Sequence, residues 1–217
     1  MAALCLACAA QQQQPPDAPQ PQTQQAPMRG SHLNFLNSFR AAEAGAHRLD
    51  AKDKFMLANH FLGPFTFLTA AGSAGISQAS DSHKAWGQGA EGYGKRYGAA
   101  FADAATYNYL GVAVFPSIFH QDPRYFSKGS GGFFSRVGYA ASRSLVTRGD
   151  SGRKQFNISN VMGAFASGGI GTAYYPDNER EAGDAAVRGA LQLAYNAAWN
   201  ALMEFAPDVK RKIFHKN

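Results

Sequence analysis

Beyond its first ten residues this chain has no cysteine, the only two being Cys5 and Cys8. The remainder therefore holds no disulfide, no cysteine-rich zinc site and no catalytic thiol. Charge is scarce too, at 17% of residues, so few acids are on hand for acid/base work. The familiar catalytic spacings are missing: there is no H-E-x-x-H, no G-x-S-x-G and no Walker loop. His32, His47, His60, His83, His120 and His215 are scattered rather than set at metal-ligand spacing, so neither metal nor cofactor is expected. Gly87–Gly92 matches G-x-G-x-x-G, but that fingerprint must follow a strand, and none is expected before Trp86. Strand-like alternation is rare throughout, which argues against a sheet.

What the sequence does have is glycine, alanine, phenylalanine and tyrosine. Its 217 residues fit one domain plus a tail, with enough chain to bury a core unaided. Met1–Ala10 reads MAALCLACAA, apolar and ending in small residues. This resembles the later part of an export signal without its basic start. Cleavage after Ala10 is the first reading, and lipidation of Cys8 in a degenerate lipobox the second. Residues 11–31, rich in Gln and Pro, offer too little apolar mass to order themselves and read as a disordered linker. Residues 32–217 then form a single domain. The net charge is +6, and Asp17 and Arg29 cancel within Met1–Gly30, so the excess lies on that domain. A basic surface favours anionic partners. With an export leader these are anionic lipid or another envelope component rather than nucleic acid, and a peripheral membrane contact fits.

The apolar spacing from His32 onward is helical. It predicts about six or seven helices, near Leu33–Ala46, Ala51–Leu62, Pro64–Ala79, Ala85–Phe119, Gly132–Thr147, Asn157–Tyr174 and Glu179–Phe205. The fold class is mainly α, a Gly/Ala-rich helical bundle. Pro64 suits a first helical turn, and Pro116 should kink or end the long fourth helix. Four ladders of small residues recur at every fourth position: Ala90/Gly94/Gly98/Ala102, Ser159/Gly163/Ser167/Gly171, Ala182 to Ala198, and Ala71/Gly75/Ala79. Each puts a smooth ridge on one helix face, suited to close packing.

Three polar clusters carry whatever chemistry exists. His120-Gln121-Asp122-Pro123-Arg124-Tyr125-Phe126 puts an imidazole two residues from a carboxylate, a possible acid/base pair, with Arg124 beside it for an anion. The structural alternative caps helix ends and pairs Arg124 with an acid. Arg136, Tyr139 and Arg143 share a helix face that can receive a phosphate or carboxylate, or else bridge to Asp103, Glu91 or Glu204. Glu204 closes the last long helix in EFAPD, where it can join His120 or Arg124, and Asp208 can cap the turn. A basic end follows at Lys210, Arg211 and Lys212, which reads as a solvated tail or as a peripheral membrane contact.

The segments WGQGAEGYGKRY (Trp86–Tyr97), HQDPRYF (His120–Phe126) and EFAPD (Glu204–Asp208), with Asp150–Gly152, Phe156–Asn157 and Tyr174–Pro176, resemble uncharacterised exported proteins of soil bacteria. The likeness covers roughly Lys52 to Lys212. It implies export and carries no mechanism. The expectation is thus a non-catalytic cell-envelope protein with a structural or binding role, in the periplasm or at the outer membrane. Its rivals are an envelope hydrolase of lipid or cell-wall material, with His120 as base and Asp122 or Glu204 orienting it, and an integral helical membrane protein.

Overall fold

A computed structural model describes Ala42 and residues 47–214. The signal-like segment with Cys8, the Gln/Pro-rich stretch and all but one residue of the first expected helix lie outside the described residues. The architecture is mainly α-helical. Helices α1 (Ala51–Phe61), α2 (Pro64–Ala79), α3 (Gly89–Tyr107) and α4 (Phe115–Ile118) come first, and α5 (Phe133–Ser142), α6 (Ile158–Gly171) and α7 (Ala182–Phe214) follow. Three short strands, β1 (Gln121–Asp122), β2 (Val146–Gly149) and β3 (Lys154–Phe156), lie between α4 and α6. No helix among the described residues is long and apolar enough to cross a membrane.

Local chemistry sets the boundaries. Asp50 and Asp53 form a capping box that starts α1, answering two orphan N–H groups at once. Pro64 opens α2 as expected. The expected fourth helix starts later than the pattern suggested. Gly87 and Gly89 both take positive φ, which breaks the chain between a 3-10 turn at Lys84–Trp86 and α3. From α3 the backbone continues through a π-helical segment, Asn108–Val114, into α4. Pro116 sits in that last turn. A proline there removes an i→i−4 bond, and the wider π turn accommodates such a defect. The last helix runs past Phe205 to Phe214 with Pro207 inside it.

The sheet corrects the expectation of none. β1, β2 and β3 form an antiparallel order β1-β2-β3. The expected helix Gly132–Thr147 stops at Ser142, and Val146 and Thr147 pair instead with Phe156 and Gln155. Strands of two to four residues are too short to show a period of two, so the sequence signal was never there to read. The turn Gly149–Gly152 closes the β2–β3 hairpin, with Gly152 at φ 79°.

The small-residue ladders divide. Ser159, Gly163, Ser167 and Gly171 are buried, as the packing argument requires. A Cβ on Gly163 would lie 2.5 Å from the Gly111 Cα, and one on Gly168 2.4 Å from the Ala185 carbonyl. Helix α6 thus wedges between the π-helical segment and α7 with almost no side-chain spacer. The ladders of α3 and α7 mostly face outward: Ala90, Gly94, Gly98 and the Ala182–Ala198 series are exposed, with Ala102 partly covered. In α2 the buried series is Thr66, Ala70 and Ala74, displaced by one position from Ala71, Gly75 and Ala79. A fourfold spacing identifies a smooth face but not its direction.

The interior is correspondingly unusual. Ala58, Val112 and Ala113 make a small apolar core, flanked by Leu57, Phe61 and Tyr107. The largest fully buried side chains are Lys54, Glu204, Pro116 and Ser159.

Candidate functional site

One charged cluster gathers at the end of the bundle where α1, α4 and the β2–β3 hairpin meet. His120 leaves α4 in the left-handed region at φ 52°, and its carbonyl accepts the Asp150 N–H at 2.8 Å. That bond pins the hairpin turn against the helix end. Lys54, one turn into α1, is almost wholly buried and points at the same place. Its ammonium donates to both Asp150 carboxylate oxygens at 3.2 Å and to the Pro116 carbonyl at 3.0 Å. All three of its donors have an acceptor. Arg48 Nη2 lies 3.4 Å and His120 Nδ1 3.8 Å from Asp150 Oδ2. Both the Arg48 guanidinium and the His120 imidazole are open to water, and at 3.8 Å the imidazole is not hydrogen-bonded to the carboxylate.

Two clefts flank Asp150. The larger, about 450 Å³, is bordered by His47, Arg48, Lys54, Ser117, His120 and Asp150 among others. The smaller, about 170 Å³, lies between Arg48, Asp122, Phe126, Arg148 and the Gly149–Asp150 turn. The hydroxyl on the larger cleft, that of Ser117, donates to the Ala113 carbonyl at 2.7 Å, so His120 does not activate it.

The sequence-nominated residues separate into distinct clusters. Asp122 borders the smaller cleft but is held by Arg124, whose Nη2 and Nε lie 2.6 and 2.9 Å from its oxygens. Asp122 also accepts the Arg124 backbone N–H, and Arg124 donates on to the His47 carbonyl. The guanidiniums of Arg124 and Arg148 both lie over the Phe126 ring, at 5.7 and 4.4 Å. The carboxylate nearest His120 is therefore Asp150 rather than Asp122.

Glu204 borders neither cleft. It is completely buried and takes four donors: the Tyr125 hydroxyl at 2.7 Å, the Lys128 and Gly129 N–H groups at 2.8 and 2.9 Å, and Arg136 Nε at 2.8 Å. Burial alone would raise its pKa, but the Tyr125, Arg136 and backbone donors outweigh it and hold the carboxyl below its usual range. Arg136 goes on to donate to Asp208 and to the Glu204 carbonyl and stacks on Phe205 at 4.4 Å. Of the expected bridges, that from Arg136 to Glu204 forms. Glu91 pairs with Lys95 instead, and Arg143 stacks on Tyr139 at 4.7 Å. Asp208 bridges Arg136 and Arg211 rather than capping a final turn, because the helix does not end there.

A further cluster lay outside the sequence reading. Asp103 on α3 accepts the hydroxyls of Tyr174 at 2.5 Å and Tyr175 at 2.7 Å. Desolvation raises its pKa against the pull of both tyrosines and Arg188. Beside it, His83 pairs with Glu179 at 2.5 Å, and Arg188 lies 4.5 Å over the Tyr175 ring. The visible signal was the Tyr174-Tyr175 doublet. Lys54 gave a fainter one, since its four-residue spacing to Ala58 puts a lysine on the inward face of α1.

No family model matches this chain, and no curated protein or solved structure shows significant similarity to it.

Proposed function

We propose that this is a non-catalytic cell-envelope protein with a structural or binding role. The observation carrying this reading is that both carboxylates nominated for catalysis are spent. Asp122 is saturated by Arg124, and Glu204 by four donors. A carboxylate so engaged cannot turn to orient His120 without giving up its arginine, which for the fully buried Glu204 costs about 3–5 kcal/mol. The envelope assignment rests on the apolar leader, the Gln/Pro-rich stretch after it and the basic domain. Contact with a membrane, in this reading, is made at its surface.

The test is a pair of substitutions. Asp122→Ala should lower the melting temperature, because it strands Arg124, whereas exposed His120→Ala should leave it within a degree or two. Neither should abolish a turnover. An esterase, lipase or cell-wall hydrolase activity lost in both variants while circular dichroism stays native would overturn the proposal.

The hydrolase alternative keeps one observation in its favour, the exposed His120 imidazole at an open cleft beside Asp150. In that version Asp150 orients the base in place of Asp122 or Glu204, and Asp150→Asn should suppress activity along with His120→Ala.

A further inference from the structure

Helix α7 carries an apolar stripe on its outward side and polar groups on part of its inward side. A helix on a water-facing surface turns its apolar stripe inward and its polar residues out. In the middle of α7 several hydrogen-bonding side chains point into the protein. Arg188 donates to the Gly168 and Glu179 carbonyls, Gln192 to Asn196 and Asn196 to Asn160, while Glu204 is fully buried. Outward stand Val187, Leu191, Leu202 and Val209, each more than half exposed. Their spacings of four, eleven and seven residues keep them on one side of the helix, along about 33 Å of axis. Between them the exposed alanines Ala190, Ala194 and Ala198 leave the face flat.

Charge says what covers this face. From Gly189 to Met203 there is no Asp, Glu, Lys or Arg. Immediately past the stripe come Lys210, Arg211 and Lys212, all exposed, with Arg211 leaning back on Asp208. Lys212 follows Val209 by three residues and so shares its side. An uncharged apolar face ending in a basic cluster matches an anionic lipid surface, where acyl chains meet the stripe and headgroup phosphates meet the cations. The helix is not apolar enough to span, which fits a helix lying in the interface plane.

We infer that the outward face of α7 docks on an anionic lipid bilayer, with Leu191 and Leu202 entering the interfacial zone and Lys212 meeting phosphate. The inference rests on the envelope reading and supplies its partner.

The experiment sediments the full chain with vesicles of mixed phosphatidylglycerol and phosphatidylcholine, and of phosphatidylcholine alone. The full chain should bind the mixed vesicles. The paired substitution Leu191→Asp and Leu202→Asp should weaken binding by about tenfold or more. Replacing Lys210, Arg211 and Lys212 with Gln should remove the preference for the anionic vesicles. A second readout leaves the stripe intact elsewhere: Leu191→Cys, in a chain with Cys5→Ser and Cys8→Ser, carries an environment-sensitive dye whose emission should shift blue on anionic vesicles. No binding, binding untouched by these substitutions, or no emission shift overturns the inference. So does a dimer that the aspartate pair dissociates, since the face then belongs to a second copy. None of these outcomes bears on the non-catalytic reading, which the turnover assay decides separately.

Discussion

Glu204 shows how a buried charge is kept in this protein. Its two oxygens face a hydroxyl, two backbone N–H groups and a guanidinium, so the desolvation cost is offset at every lone pair. Its folded-state pKa lies below the ordinary value of 4.5. It therefore contributes stability that is fully present above 4.5 and lost as pH falls through the lower folded value. Asp103 works the other way. Its folded pKa is raised above 3.8, so its penalty is felt when ionised and relieved as pH falls. Glu204→Gln should cost about 3–5 kcal/mol at neutral pH, because it removes the charge facing Arg136 Nε and sets an amide NH2 among groups that all donate. Urea midpoints followed from about pH 7 to about pH 3 should show a shallower acid limb in the variant than in the parent. The chemistry of these residues was partly legible. EFAPD, HQDPRYF and Arg136 were marked by composition alone, and the Arg136–Glu204 bridge was among the expected pairings. The carboxylate nearest His120 was not, because Asp150 lies in the turn of a hairpin that the sequence did not disclose.

At the scale of elements, glycine has two opposite roles. Gly163 in α6 is a close-approach residue, with the Gly111 backbone where its Cβ would be. Gly94 in α3 has nothing within 4 Å of that position and brings only its backbone entropy. Gly163→Ala should destabilise by about 1–3 kcal/mol through overpacking. Gly94→Ala should stabilise by up to about 1 kcal/mol, the ordinary propensity gain. Denaturant titration of the two variants beside the parent reads both signs. From sequence these glycines are equivalent rungs of two similar ladders, since periodicity reports a shared face and nothing about what faces it. The same limit explains the helices. Their number and most of their starts follow from capping and punctuation, as at Asp50, Gly63 and Pro64. The π-helical segment and the strands depend on tertiary neighbours such as Gly163 and Gln155, which no local pattern records.

At the scale of the whole molecule, the described residues include several buried charges and several exposed large apolar side chains. Lys54, Arg96, Arg136 and Glu204 are buried, while Leu68, Ile76, Phe134 and Leu191 are at least 64% exposed. Composition pointed toward this only weakly, through scarce charge and abundant small residues, because neither says which side chains face inward. The account rests on that pairing: the inward charges hold the fold, and in our inference the outward apolar side chains of α7 are where a partner docks. Paired thermal melts of Lys54→Met and Leu191→Gln in detergent-free buffer test it most directly. Lys54→Met removes the buried partner of Asp150, leaving it the exposed Arg48, and should lower stability by about 3–5 kcal/mol, whereas Leu191→Gln should stay within about 0.5 kcal/mol of the parent. A chain that tolerates the lysine substitution and unfolds on losing the leucine would contradict the account.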